Sequence, residues 1–250
     1  MIRCPMLEMS AFLNEEAGLD SSYPEIQDIL HDSIFHVANL KGRRIIKTHL
    51  PFEFLPPKLV DRCKILYVCR NPADAAVSLY YFLANIFQGS FTTFLKMLRK
   101  GKLISSIFRY YVLMKGIAPN GNYLDHLLSG WKLKEHPNVK WICYEDLKSD
   151  LAGAIENAAN FLEHPITNEQ AKILADNLSF DKMKRKQMST PTAGINVPDG
   201  QLHFMRKGIV GDWRNHFDEE MTEEWNAWIR SHVAGTGMED LDMFKHLFAC

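Results

Sequence analysis

Three short apolar runs, separated by stretches of helical periodicity, organise the chain. Arg44–Thr48, Lys64–Cys69 and Val139–Cys143 are rich in β-branched and aromatic residues and too short to be helices, so they are predicted as buried parallel strands. Pro72–Leu83 opens with Asn71-Pro72, a cap followed by proline at the first helical position. Leu147–Leu162 places Ile155, Ala158, Ala159 and Leu162 on one face of a helix. Thr167 and Gln170 have capping-box spacing for a helix running toward Leu178, and Met221–Val233 is amphipathic. From Asn85 to Asn122 the signal is irregular, and only a helix near Phe91–Arg99, with a mobile loop beyond it, is expected. Strands alternating with helices predict an α/β fold, a three-layer parallel sheet flanked by helices. With no repeat and no linker, residues 1–250 read as a single domain.

Charge and composition narrow the partners. The net charge is −1 with 24% charged residues, so no global basic field recruits nucleic acid or an anionic membrane, and any bound anion must be held by a local cluster. No run approaches the roughly 20 apolar residues of a membrane span; the most apolar region, Leu103–Met114, is broken by Arg109. The five cysteines include no Cys-x-x-Cys pair, which argues for a reducing, cytoplasmic setting. Cys69 and Cys143 lie inside apolar runs, where free thiols act as small hydrophobes. The ten histidines show no metal-ligand spacing. There is no G-x-G-x-x-G, so nicotinamide and flavin chemistry are unsupported.

Each predicted strand ends in polar groups: Lys47-Thr48-His49, then Arg70, then Tyr144-Glu145-Asp146. Parallel strands bring these ends to one edge, where ligands of open α/β sheets bind. Two cations and a candidate base there suit an anionic ligand on which a proton must also move. Far downstream, Arg206-Lys207-Gly208 sets two cationic side chains beside exposed backbone N–H groups, a phosphate-binding arrangement that an ordinary basic turn would also present.

Together these segments resemble the cytosolic sulfotransferase family. The resemblance rests on Lys47-Thr48-His49-Leu50-Pro51, on Tyr67-Val68-Cys69-Arg70-Asn71-Pro72 continuing to Ser78, on Tyr144-Glu145-Asp146-Leu147, and on Arg206-Lys207-Gly208-x-x-Gly211-Asp212-Trp213. It implies a P-loop nucleotide-kinase-like fold and transfer of a sulfonate from 3′-phosphoadenosine 5′-phosphosulfate (PAPS) to a small alcohol, phenol or amine. Under it, His49 is the general base and Lys47 neutralises charge on the transferring group. Arg70 and Ser78 bind the 3′-phosphate, with Arg206, Lys207 and Gly208 closing from the other side. Tyr144, Ser179, Phe180 and Met183 serve the adenine, and Phe204 and Met205, just before the clamp, also bind the nucleotide. PAPS enters as a co-substrate, and no permanently bound cofactor is implied.

The family's opening strand and its Tyr-Pro-Lys-Ser-Gly-Thr-Thr-Trp loop have no counterpart. Gly101-Lys102, the one Gly-Lys pair, follows no strand. The expectation is therefore a fold short of its first strand-loop-helix unit, through a truncated gene model or a natural short form. Leu178 stands where relatives carry a hydroxyl residue. The dimer-contact pattern is blurred around Arg214, Asp218 and Glu223, leaving a homodimer open. His36 and His126 are either site-lining or structural. Phe82, Phe87, Phe91, Phe108, Tyr110, Tyr111 and Tyr123 are either pocket or core. An inactive module binding only the 3′-phosphoadenosine nucleotide is the alternative to an enzyme; Lys47 and His49 favour the enzyme, because a pure binder has no use for a base.

Overall fold

The computed structural model describes residues 37–83, 87–100, 123–189 and 205–248. Among them β1 (Ile65–Cys69) and β2 (Val139–Cys143) form a parallel pair, in register from Ile65 opposite Val139 to Cys69 opposite Cys143. Two of the three predicted strands are thus in place. The first is not: 44–48 holds a single bridge residue, Lys47. The Leu50 N–H donates to Thr48 Oγ1 at 3.1 Å and Pro51 has no N–H, so the chain turns out of an extended ladder at this point.

A short helix α1 (Leu59–Arg62) leads into β1. Helix α2 (Pro72–Phe82) follows it, and Asn71 Oδ1 accepts from the N–H groups of Ala73 and Asp74 at 2.9 and 3.3 Å. Helix α3 (Phe91–Arg99) lies where it was expected, whereas the loop expected beyond it falls outside the described residues. Helix α4 (Tyr123–Trp131) was not anticipated. The helix predicted over Leu147–Leu162 is two, α5 (Tyr144–Ser149) and α6 (Leu151–Phe161). Asp150 divides them: its backbone leaves the helical region (φ −142°, ψ 83°) and its carboxylate caps the Gly153 N–H at 2.9 Å. Helix α7 (Asn168–Asn177) carries the full Thr167–Gln170 capping box. Helices α8 (Phe180–Ser189), α9 (Glu219–Val233) and α10 (Asp242–Lys245) complete the order.

The core joins β1 and β2 to α2, α3, α4, α9 and α10 through buried Phe94, Leu124, Leu127, Trp225, Val233 and Phe244. Phe87, Phe91 and Tyr123 are partly buried and pack against this core, so these three belong to packing; Phe82 is 40% exposed. On β1, Tyr67 and Cys69 face inward while Leu66 and Val68 are exposed at 40% and 59%. The Tyr67 ring lies parallel to Trp141 of β2 at 4.8 Å and fills the space over Gly130 of α4, where a Cβ would overlap it.

Candidate nucleotide and acceptor site

Because Cys69 and Cys143 are register partners, the next residues, Arg70 and Tyr144, emerge side by side. The Arg70 guanidinium lies over the Tyr144 ring, 4.4 Å from its centroid. The Tyr123 hydroxyl donates to Arg70 O at 2.9 Å and accepts from Arg70 N at 3.1 Å, fixing the peptide groups on both sides of Arg70. Burial pushes the Tyr123 phenol up, so it stays protonated as a donor. Glu145 Oε1 accepts from Asn71 N at 2.8 Å, a second tie between the strand ends. Arg70 Nη2 donates to Ile209 O at 3.2 Å, while its buried Nε has no hydrogen-bond partner among the described residues.

Asp74, one helical turn beyond Arg70 and 2% exposed, draws the distant 205–213 turn onto α2. Its carboxylate accepts from Gly211 N at 2.6 Å and Trp213 N at 3.0 Å, and lies 4.0 Å from Arg70 Nη2. Gly211 has φ 80°, a left-handed turn that suits glycine. Gly208, at φ 65°, lies so close under the Phe180 ring that a Cβ would overlap it. Lys184 Nζ donates to Arg206 O at 3.0 Å, a second link from α8 to this turn. Ser78 is half-buried on α2, one turn past Asp74. Ser179 precedes α8 and accepts from Met183 N at 3.0 Å. Met205 is partly buried, and Phe204 lies outside the described residues.

Arg206 and Lys207 converge on an internal anion. Arg206 Nη2 and Lys207 Nζ meet the two oxygens of buried Asp212 at 2.6 and 2.9 Å, with Asn215 Nδ2 at 3.1 Å and His216 Nε2 at 3.2 Å. Burial acts to raise the Asp212 pKa, but the bonds from Lys207, Arg206, Asn215 and His216 outweigh it and hold the carboxyl well below its usual range. A folded-state pKa below the unfolded value stabilises the fold above about pH 4, the unfolded aspartate value, and this is lost as pH falls through the folded value. Asp212→Asn is therefore expected to be less stable than the wild type in urea at pH 7, with the gap narrowing progressively below about pH 4. A gap independent of pH would show that the charge of Asp212 is not what stabilises the turn.

Lys47 and His49 sit exposed on the segment before β1. The His126 ring hydrogen-bonds to the backbone of His49. Behind it, the Tyr67 hydroxyl lies 2.6 Å from His126 Nδ1 and donates to His126 O at 2.8 Å. Burial lowers the His126 pKa, favouring the neutral ring. Ser129 Oγ accepts from Phe52 N at 2.8 Å, fastening the following turn to the same helix. The sequence left the role of His126 open. The structure places it behind the candidate base, and no sequence signal marks it because α4 itself was not foreseen. Asp74 and Asp212 were likewise missed as the residues that build the site.

The family model for the sulfotransferase domain matches residues 2–237. The chain belongs to the sulfotransferase family. Human sulfotransferase 1E1 is 33% identical over 207 residues, which cover 79% of this chain and 64% of that protein, so the chain spans just under two thirds of this relative. Retinol dehydratase, solved with androsterone and the inactive cofactor PAP, has a TM-score of 0.77 at 27% identity, covering 93% of this chain and 70% of that one. A mouse sulfotransferase complexed with PAP has a TM-score of 0.68 at 27% identity, covering 86% of this chain and 72% of that one. The α/β sulfotransferase fold expected from the strand ends is therefore the fold of this family. Among the described residues no helix is long and apolar enough to cross a membrane, and no group of three or more His, Cys, Asp or Glu could hold a metal ion.

Proposed function

We propose that this protein binds PAPS through the Arg70–Tyr144 edge and transfers its sulfonate to a hydroxyl or amine of a small hydrophobic acceptor. The observation that carries the reading is Arg70: its guanidinium is stacked on Tyr144, its backbone is fixed by Tyr123, and its buried Nε has no partner among the described residues. Such a donor suits a phosphate oxygen, since an unpaired buried polar group is costly. Ser78, Arg206, Lys207 and the Gly208 N–H complete the 3′-phosphate set, and Phe180 and Met183 stand by the adenine with Ser179. Two structural neighbours hold PAP, one of them together with androsterone, which fits a PAPS donor and a small-molecule acceptor.

In this reading the His49 imidazole takes the acceptor proton as the acceptor oxygen or nitrogen attacks sulfur in line with the departing phosphate oxygen, and Lys47 offsets the charge that develops. His126, held by Tyr67, positions the His49 peptide. The test incubates the chain with labelled PAPS and a panel of phenols, alcohols and amines. Labelled product is expected, with turnover unaffected by a chelator; no product across a broad panel would overturn the reading in favour of a nucleotide-binding module. His49→Ala is expected to lower turnover by about 10²–10⁴-fold, the usual worth of a general base, and to leave PAP affinity in calorimetry unchanged. Equal loss of PAP affinity would overturn the role of His49.

A further inference from the structure

Cys69 and Cys143 are the last register pair of the parallel sheet. As direct neighbours across two strands, their side chains leave the same face, and their sulfur atoms stand 3.4 Å apart. The Cys69 thiol donates toward Cys143 Sγ and, also at 3.4 Å, toward Ile142 O. Cys69 is 1% exposed, whereas Cys143 is partly open to solvent. Adjacent strands lie about 4.8 Å apart, inside the Cα separations that a disulfide spans. The sequence alone presented these cysteines as two inert, separate hydrophobes; the register makes them a pair.

We propose that Cys69 and Cys143 form a reversible oxidation site that alters the geometry of the Arg70–Tyr144 edge. The hydrogen bond from Cys69 lowers the Cys143 pKa and the same bond, with burial, raises that of Cys69. Cys143 is thus the more readily ionised and the more accessible sulfur, the two properties that select a peroxide-sensitive thiol. The Cys143 thiolate attacks one oxygen of hydrogen peroxide, the O–O bond breaks, and hydroxide leaves, taking up a proton as water. Cys143 is then a sulfenic acid. The Cys69 sulfur attacks the Cys143 sulfur as its thiol proton passes to the departing hydroxyl, which leaves as a second water, and an S–S bond forms. Two thiols and one peroxide give one disulfide and two waters, and a dithiol reductant reverses the bond.

Closing that bond draws the sulfurs together by about 1.3 Å, given an S–S length of about 2.05 Å. The displacement falls on residues adjoining Arg70 and Tyr144, whose stacking and peptide bonds define the nucleotide edge. Reduced nucleotide affinity on oxidation rests on the function proposed above; the oxidation site does not.

The test treats the full chain with hydrogen peroxide, alkylates the remaining thiols and maps linked peptides by mass spectrometry. Amide resonances of Arg70 and Tyr144 are followed in the labelled protein, and PAP affinity by calorimetry. A Cys69–Cys143 peptide is expected, absent in Cys143→Ala and in Cys69→Ala. The two amide resonances are expected to move on oxidation and return with dithiothreitol, and PAP affinity to fall at least tenfold and recover. Oxidation confined to exposed Cys63, with Cys69 and Cys143 still alkylated, would overturn the proposal. A mapped disulfide with both resonances unmoved would overturn its effect on the edge. If the reduced chain binds no PAP, the proposed function falls, while mapping and resonances still decide the oxidation site.

Discussion

Replacing Asp74 with alanine is expected to lower the free energy of unfolding by about 3 kcal/mol, because it strips two N–H groups of their acceptor and removes charge-assisted bonds. The carboxylate is 2% exposed and receives Gly211 N and Trp213 N at 2.6 and 3.0 Å. Water cannot readily substitute at so closed a position. Asp74→Asn keeps one acceptor oxygen and is expected to lose less. Urea unfolding gives the comparison, and PAP affinity in the alanine variant should fall as well, because Arg206, Lys207 and Gly208 belong to the turn that Asp74 holds. An unfolding free energy within about 0.5 kcal/mol of the wild type, the range of an ordinary surface substitution, would mean that the turn is held by other contacts.

The second large effect is at Arg70. Arg70→Ala is expected to weaken PAP binding by roughly 1.5–3 kcal/mol, the usual worth of a hydrogen bond to a charged group, or about 10- to 150-fold. Arg206→Ala is expected to cost less. Arg206 Nη2 is already 2.6 Å from Asp212, so an incoming phosphate must compete with an internal carboxylate for the same guanidinium. Among the described residues Arg70 Nε has no such partner to give up. Calorimetry on both variants decides the order. A larger loss at Arg206 would mean that Asp212 orients the clamp for the ligand and does not compete with it.

What the sequence made legible was local. β2 coincides with its apolar run, and Asn71-Pro72 and the Thr167–Gln170 box start helices where capping chemistry places them. The strand-end cations were visible because a strand carries few charges, so Arg70 after an apolar run stands out. What stayed hidden was long-range or competitive. Asp74 reads as an ordinary acidic residue in the first turn of a helix, a favourable place for negative charge, while its partners lie 137 and 139 residues away. Asp150 interrupts an unbroken helical periodicity because its side chain caps a new helix, and periodicity does not report that competition. Arg44–Thr48 has strand composition but gains one bridge residue, since pairing is a property of neighbours and not of the run itself. The spacing of the cysteines along the chain says nothing about residues facing one another across strands.

The contact between Tyr67 and Gly130 bears on how sequences of this kind can diverge. The ring occupies the volume a side chain at position 130 would need, and its hydroxyl is held by His126 on the same helix. The two positions therefore exchange size only together: a larger residue at 130 requires a smaller one at 67, and the smaller one forfeits the hydroxyl that braces His126. In an alignment of relatives, residues larger than glycine at 130 should accompany loss of tyrosine at 67, and those same sequences should be the ones free to vary at 126. Three sites far apart along the chain would then evolve as one unit.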